Sequence, residues 1–544
     1  MNTLPASPNL DHLKEQAKDL LRDARAGEPT ALQRFIESLP AARGLALAQL
    51  TQHELKLHDA QSVLAREFGF KSWLDLRNAV EWKRSDRAQR LKTWFGWTYG
   101  SRPSEYRAAL RILREEPDLF ANLFQTEEAA LALATGDASA LAAILNKQGA
   151  QASAWVSQPI GPFQMLPLIA VTHSQLIRDP AFEAGLLACA TLLFEHGASP
   201  NTTWTNPEFP DWPLSAIYGA AGFTHNPAMT RLLLAAKASP DDNESLYHSV
   251  EAPDPACTHL LLQAGARVVG TNTVAHVLDY DKLDLLKLIL RHGIAQPARP
   301  LIQHEIAHAI LRGRSIDHIR VLLEAGSDTG LDLYATNHDG VSLYRYAQLH
   351  GRGDVLELLR QAGITGPILS VEDQFIAACA QADEAASRQI LKHNPEIFTH
   401  FTPKQLEALP ELAAVGNLPA VRTMLALGWP LEVKTGWGAT ALNLAVYRGD
   451  AEMTAVLLEA GADWRTRHDF NDNVIGTLAF ASKDSDSKDT DPGDFVACSR
   501  LLLASGVPLP AFEGYYFSPE VEDHLDLARF QLSYAKFGTP GTPK

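Results

Sequence analysis

Two short predicted helices between Gly438 and Asp463 constrain the fold of this chain more than any other stretch. Thr440 opens the first helix, Gly449 lies at the turn, and Gly461 ends the second helix, where glycine takes a positive φ at little cost. Each helix is shorter than the roughly 12 residues that an isolated helix needs in water. The unit therefore requires copies of itself on both sides.

Similar segments occur along most of the chain and share one register. The clearest copies are Glu128–Ala150, Glu305–Asp328 and Ser342–Gly363. Weaker copies are Leu166–Asn201, Pro213–Asp241, Ser245–Arg267, Thr273–Gly293, Phe375–Asn394, Leu409–Gly428 and Val474–Gly506. The residue after each second helix marks the register, at Gly149, Gly197, Lys237, Gly265, Gly293, Gly326, Gly363, Asn394, Gly428, Gly461 and Gly506.

The best segment resembles an ankyrin repeat at three places. It opens with Thr440–Asn443 (TALN), turns at Arg448–Asp450 (RGD) and ends with Ala460–Asp463 (AGAD). The family has Thr-Pro-Leu-His, Gly-His or Gly-Asp, and Gly-Ala-Asp at these places, with a period of about 33 residues. The resemblance covers residues 103–509 and implies an all-α solenoid of about 11–12 helix-turn-helix repeats with insertions. Residues 1–102 are predicted to form an N-terminal helical module, and residues 510–544 a C-terminal helical cap and tail.

Amphipathic patterns predict four helices in the N-terminal module. They are Leu10–Leu21, Thr30–Leu39, Lys56–Phe68 and a helix that opens at Ser72 and runs to about Trp82. The block His58–Leu76 resembles a segment often found ahead of ankyrin arrays in bacterial proteins. This resemblance suggests a bacterial source and implies no activity.

Cysteine usage and hydropathy point to a cytoplasmic protein. Cys189, Cys257 and Cys498 each lie eight residues before a register position, and Cys379 lies on a first helix. These places predict buried thiols in the packing between repeats, and not disulfides or metal ligands. No apolar run approaches 18 residues, and Met1–Asn9 lacks the pattern of a secretion signal.

Charge is unevenly distributed. The net charge is −16, with +3 in residues 1–120 and −19 in the remainder. An acidic array argues against binding to a phosphate backbone and favours a basic or amphipathic protein partner. Solubility alone is the other explanation of the acidic surface. No nucleic-acid partner is expected, and the oligomeric state cannot be read from these features.

Residues 82–102 mix basic and aromatic side chains. Such a stretch can stack on single-stranded nucleic acid or lie at a membrane surface. We prefer a third interpretation, in which Leu91 and the tryptophans of a connecting helix face the first repeat.

One stretch spells a zinc-protease motif, His304–His308 (HEIAH). On a helix it places two histidines on one face for zinc, with Glu305 as general base. However, His308 lies 18 residues before Gly326, in the position where the family keeps the histidine of Thr-Pro-Leu-His. The resemblance implies that this histidine makes hydrogen bonds between repeats. We therefore expect no metal and no cofactor, and keep a metallopeptidase as an alternative that metal analysis would test.

The preferred function is a protein–protein interaction scaffold or adaptor without catalytic activity, and the alternative is an inhibitor that sequesters a basic enzyme, such as an immunity protein or antitoxin. Insertions at residues 171–187, 202–212 and 482–494 interrupt the repeats, and insertions in such proteins often face the ligand. The resemblance implies that finger loops before each first helix contact the partner. The predicted contact residues are Trp204, Phe209, Trp212, His338, Asp339, Trp437, Trp464, Arg465 and Arg467.

Overall fold

The computed structural model describes residues 4–5, 8–39, 42, 45–51, 55–70, 73–101, 103–205, 213–294, 302–329, 341–483, 493–512, 515 and 517–535. Contacts divide the chain into two compact units, Arg87–Ile368 and a second unit made of Met1–Asp86 with Leu369–Lys544. Both units are built mostly of helices, which confirms the all-α prediction. No helix in the described part of the chain is long and apolar enough to cross a bilayer. The predicted domain bounds stay a prediction.

The unit Arg87–Ile368 begins with the helices Arg87–Thr98 and Pro103–Glu115, and seven helix pairs follow in the described residues. The first helices are Gln125–Thr135, Pro167–Thr172, Ala216–Tyr218 with a π-turn at Gly219–Phe223, Ser245–Ser249, Thr273–Asp279, Ile302–Leu311 and Leu343–Leu349. The second helices are Ala138–Gln148, Pro180–Glu195, Pro227–Ala235, Ala256–Gln263, Leu283–Ile294, Ile316–Thr329 and Gly353–Gln361. Shorter elements are the helix Ala152–Trp155 and the 3-10 turns Pro117–Phe120, Gly149–Gln151 and Gln175–Arg178.

One apolar core runs through this unit from Leu133 to Ile364. First helices pack on first helices and second helices on second helices of the neighbouring repeats. The residue four places before each register position is fully buried at Leu193, Leu233, Leu261, Ile289, Leu322 and Leu359. Each repeat thus covers the apolar side of the next, as expected for helices too short to be stable alone.

The described residues of the array in the other unit form four helix pairs. Its first helices are Val371–Ala380, Ala408–Ala414, Ala441–Arg448 and Val474–Lys483, and its second helices are Glu384–His393, Leu418–Ala426, Ala451–Glu459 and Phe495–Ala504. Shorter elements are Ile397–Thr399, Pro403–Leu406 and Leu509–Phe512. The last helix, Pro519–Ala535, packs on Phe495–Ala504 through buried Val521 and Leu525, so it closes the end of the array as the predicted cap.

In the N-terminal segment of the same unit, the part of the chain that the structure describes forms five helices with a core of their own. They are Leu10–Arg25, Pro29–Ser38, Leu47–Leu50, Leu57–Glu67 and Trp73–Arg84. The core runs from Leu13 to Val80 and includes fully buried Phe35. The four predicted helices are confirmed, and only the single turn Leu47–Leu50 was not anticipated.

The register residues confirm the repeat with three exceptions. Eight of them have positive φ, namely Gly149, Gly197, Lys237, Gly265, Gly363, Gly428, Gly461 and Gly506. Gly293 and Gly326 instead lie within the helices Leu283–Ile294 and Ile316–Thr329, and Asn394 has a φ of −133°. Glycine permits a left-handed conformation without requiring it, so helices can continue through these two positions.

All four cysteines are buried, free thiols, as predicted. The Cys257 sulfur lies 3.5 Å from Thr230 Oγ1 and the Cys498 sulfur 3.6 Å from Thr454 Oγ1, and both contacts join neighbouring repeats. Burial raises the pKa of Cys257 and of Cys498 to about 11, so neither thiol is ionised near neutral pH.

The basic and aromatic stretch is part of the packing. Trp94 and Phe95 are buried in the helix Arg87–Thr98, together with Leu91. The indole nitrogen of Trp94 donates to the carbonyl of Ala109 at 2.9 Å, and its ring meets Phe120 edge-on. These contacts support the connecting-helix interpretation.

Of the three insertions, the first is structured, and its residues 171–177 are buried. It includes the end of the helix Pro167–Thr172, the 3-10 turn Gln175–Arg178 and the first turns of the helix Pro180–Glu195. The second begins with the strand Thr203–Thr205, which pairs antiparallel with the strand Pro213–Ser215 directly after it, a hairpin as expected of a finger. Residues 206–212 and 484–492 lie outside the described part of the chain.

Candidate functional site

Two consecutive finger loops, residues 429–440 and 462–473, precede the helices Ala441–Arg448 and Val474–Lys483. The same turn occurs in both. The amide of Thr435 donates to the carbonyl of Ala439 at 2.9 Å, and the amide of His468 donates to the carbonyl of Asp472 at 2.9 Å. The two turns are one repeat of 33 residues apart. The backbone of one finger is thus copied in the next.

The turns expose two aromatic rings at equivalent positions. Trp437 is 40% exposed and Phe470 is 78% exposed, and their ring centroids lie 6.2 Å apart. His468 lies within 6.3 Å of the Trp437 ring and 5.8 Å of the Phe470 ring. We call Trp437, His468 and Phe470 the finger-tip cluster. Apolar rings of this size gain free energy when a partner covers them.

Hydrogen bonds hold the two fingers together. Lys434 Nζ donates to the carbonyl of Arg467 at 2.7 Å, and the amide of Asp469 donates to the carbonyl of Trp437 at 3.3 Å. Glu432 accepts from the amide of Asp463 at 2.8 Å. These hydrogen bonds hold the finger-tip cluster in place before a partner binds. Binding then needs to order fewer loop residues, which lowers its entropic cost.

Charged side chains on the two fingers are nearly balanced in sign. The three cations are Lys434, Arg465 and Arg467, and the four carboxylates are Glu432, Asp463, Asp469 and Asp472. The Arg465 guanidinium lies 4.5 Å from the centroid of the Trp464 ring and forms an ion pair with Asp463 at 3.3 Å. Arg467 donates to the carbonyl of Asn471 at 2.8 Å.

A second aromatic pair lies on the first helices of the same two repeats. Tyr447 and Phe480 are also 33 residues apart, with nearly parallel rings whose centroids are 6.4 Å apart. Phe480 is 60% exposed. The pair adds a second aromatic surface on the first helices of these two repeats.

The helix behind the fingers begins with a local cap. The amide of Thr440 donates to Asn443 Oδ1 at 3.1 Å, and the amide of Asn443 donates to Thr440 Oγ1 at 3.4 Å. Asn443 Nδ2 also donates to Thr477 Oγ1 of the next repeat at 3.3 Å. Asn443 therefore makes between repeats the kind of bond expected of the histidine of Thr-Pro-Leu-His.

The predicted contact residues fall into three groups. Trp437, Trp464, Arg465 and Arg467 lie together on the two fingers. Trp204 is half-buried, and its indole nitrogen donates to the carbonyl of Gln164 at 3.1 Å. Outside the described residues lie Phe209, Trp212, His338 and Asp339.

His468, Phe470, Tyr447 and Phe480 were missed in the sequence. A step of 33 residues from Trp437 to Phe470 and from Tyr447 to Phe480 would have indicated them.

The two histidines of the zinc-protease motif have different surroundings. His304 is exposed, whereas His308 Nε2 lies 2.8 Å from Asp279 Oδ1 on the first helix of the preceding repeat. Arg312 Nε also contacts that oxygen at 2.8 Å. Burial raises the pKa of Glu305 to about 7. The pairing of His308 supports the structural role that its position predicted.

Comparisons with known proteins agree with the repeat geometry. The family model described as the ankyrin repeat matches residues 437–469, which include Trp437 and most of the second finger. The E3 ubiquitin-protein ligase KEG of Arabidopsis thaliana is 22% identical over 265 residues. The match covers 45% of this chain and spans 16% of that ligase.

Two solved structures are also similar. The ankyrin repeat domain of Bcl-3 shares 18% identity, covering 44% of this chain and 94% of that domain, with a TM-score of 0.21. The human ASB11 ankyrin repeat domain shares 18% identity, covering 43% of this chain and 98% of that domain, with a TM-score of 0.21. Residues 437–469 thus match an ankyrin repeat, and this repeat has the same paired helices and buried positions as its neighbours.

Proposed function

We propose that this chain is a scaffold or adaptor that binds a partner protein on the finger-tip cluster and on the Tyr447–Phe480 pair of the same two repeats. Ankyrin repeats indicate a protein–protein interaction domain, since stacked repeats present an extended binding surface. The proposal depends on one observation. Trp437 and Phe470 are exposed at equivalent positions of two fingers that hydrogen bonds hold together. Aromatic and arginine side chains are the usual anchors of such interfaces.

The chemistry of this surface favours an amphipathic partner. The aromatic rings need apolar side chains opposite them. The three cations and four carboxylates of the fingers nearly cancel, so they give little net local attraction. The net charge of −19 beyond residue 120 would instead steer a basic partner toward the array. We infer that affinity comes from the rings and that the charge acts on the association rate.

The proposal also includes the other predicted contact residues, and it assigns the chain no catalytic role. We place the protein in the cytoplasm, because its four cysteines are free thiols and the cytoplasm keeps thiols reduced. An inhibitor of a basic enzyme would use the same surface. Loss of the captured enzyme's activity at a one-to-one ratio would distinguish an inhibitor from an adaptor.

The test is affinity capture from lysate of the native cell, read by mass spectrometry, with the full chain and the double variant Trp437→Ala/Phe470→Ala. We expect a defined partner with the parent chain and at least about a tenfold loss with the variant, since anchor residues contribute about 2 kcal/mol or more. The matched control is Phe124→Ala, which removes a ring that is 76% exposed outside the fingers and should leave capture unchanged. Equal recovery with the double variant would reject the proposed surface.

A further inference from the structure

Three side chains that commonly ligate metals converge between two neighbouring repeats. His248 belongs to the helix Ser245–Ser249, Glu251 follows it, and His276 belongs to the helix Thr273–Asp279 of the next repeat. The two histidines are 28 residues apart and occupy the same place after the start of their helices. One ligand atom from each of the three side chains lies within 4.8 Å of the other two.

The converging atoms are one nitrogen from each ring and one carboxylate oxygen. His248 Nδ1 lies 2.6 Å from Glu251 Oε1, and His276 Nε2 lies 3.0 Å from the same oxygen. All three side chains are partly exposed, so solvent and ions can reach them. Without a cation, the imidazole N–H groups donate to the carboxylate.

The other nitrogen of each ring faces a second carboxylate. His248 Nε2 lies 3.4 Å from Glu244 Oε2, and His276 Nδ1 lies 3.8 Å from Asp279 Oδ2. The Tyr247 ring stacks on His276 with a centroid distance of 3.8 Å. Carboxylates behind ligating histidines are the usual support of a metal site, because they orient the ring and increase its basicity.

We propose that His248 Nδ1, Glu251 Oε1 and His276 Nε2 bind one divalent transition-metal cation of the Zn²⁺ type, which joins two adjacent repeats. Two imidazoles and one carboxylate are a ligand set that zinc accepts, with a water molecule in the fourth position. Calcium and magnesium prefer oxygen ligands and do not fit this set. On binding, each ring turns an unprotonated nitrogen to the cation and keeps one proton on its other nitrogen, which faces Glu244 or Asp279. A ring that is charged beforehand releases its second proton to solvent.

The proposed cation has a structural role, and not the catalytic role that a metal has in a peptidase. A cation held by both repeats binds the native state and not the unfolded chain, so it raises the melting temperature. The proposal places the cation at His248, Glu251 and His276 and not at the HEIAH stretch, where His308 is already paired with Asp279.

The test is calorimetric titration of the chelator-treated full chain with zinc chloride alone. We expect one site per chain, and Glu251→Gln or His276→Gln should weaken zinc binding at least about 100-fold, because each removes a direct ligand. Zinc should raise the melting temperature of the parent chain and not that of these variants. Circular dichroism in chelator should show that the variants are folded.

The matched control is His304→Gln, which removes an exposed histidine of the HEIAH stretch and should leave zinc binding unchanged. Zinc anomalous diffraction from the unmodified protein gives a second measurement that does not depend on any variant. Density between His248, Glu251 and His276 supports the proposal. Absence of a zinc site, loss of binding in His304→Gln, or unaltered affinity in Glu251→Gln would overturn it.

Discussion

Trp437 and Phe470 lie 33 residues apart in the chain and 6.2 Å apart in space, at the tips of consecutive fingers. Their equivalence follows from the repeated turn, in which Gly438 and Asn471 take the same left-handed conformation. Neither ring is needed to close the core. Both rings are therefore available to a partner.

Removal of the exposed rings should leave stability nearly unchanged. For Trp437→Ala/Phe470→Ala we expect a loss of less than about 1 kcal/mol in the free energy of unfolding, since surface substitutions usually change little. The contrast is Trp429→Ala. Trp429 is buried beside Phe375 and Phe401 and donates to the carbonyl of Leu406, and its loss should cost about 3–5 kcal/mol. Chemical denaturation of both variants measures the difference.

Gly438→Ala should destabilise the paired fingers. Gly438 has a φ of +81°, and an added Cβ would lie 2.4 Å from Asp469 Oδ1 and 2.8 Å from the Asp469 amide nitrogen. We expect a loss of about 1–3 kcal/mol from the left-handed strain and the overlap. Gly436→Ala is the control, because a Cβ there meets open space. Equal melting temperatures for the two variants would contradict this account of the turn.

Glu305→Gln should stabilise the protein at alkaline pH. Burial raises the pKa of Glu305 to about 7 in the native state, above its ordinary 4.5, so the native state binds this proton more tightly than the unfolded chain does. The native state therefore loses stability as pH rises from about 4.5 to about 7, and the full penalty persists above that range.

In melting curves at pH 5 and pH 8, Glu305→Gln should gain on the order of 1–3 kcal/mol at pH 8 and much less at pH 5. Glu324→Gln serves as the control, because Glu324 is exposed on the second helix of the same repeat. A gain of equal size at both pH values would show that the effect does not come from ionisation.

The four thiols should resist alkylation in the native state. All are buried, and burial raises the pKa of Cys189 to about 12 and that of Cys379 to about 11. Iodoacetamide attacks the thiolate, so we expect no rapid labelling in buffer at pH 8 and four labels in denaturant by mass spectrometry. Rapid labelling of a native thiol would show that its repeat opens.

Spacing in the sequence was enough to predict the repeat unit, the buried thiols and most helices. These features depend on a face of one helix meeting a similar face of the next, so the same residue types recur at one position of the repeat. Leu457 and Leu502, each buried four places before a register glycine, are an example. The departures at Gly293 and Gly326 arise because a glycine permits a helix end and does not impose one.

The spacing of residues in the sequence predicted less of the candidate sites than of the fold. The fingers were located and Trp437 was named, but the exposure of Phe470 and Phe480 depends on how two loops and two helices pack side by side. The group of His248, Glu251 and His276 joins residues up to 28 positions apart, with no motif linking them. Local periodicity follows from the chain's own residues, whereas the distance between side chains of different repeats is set only when the helices stack.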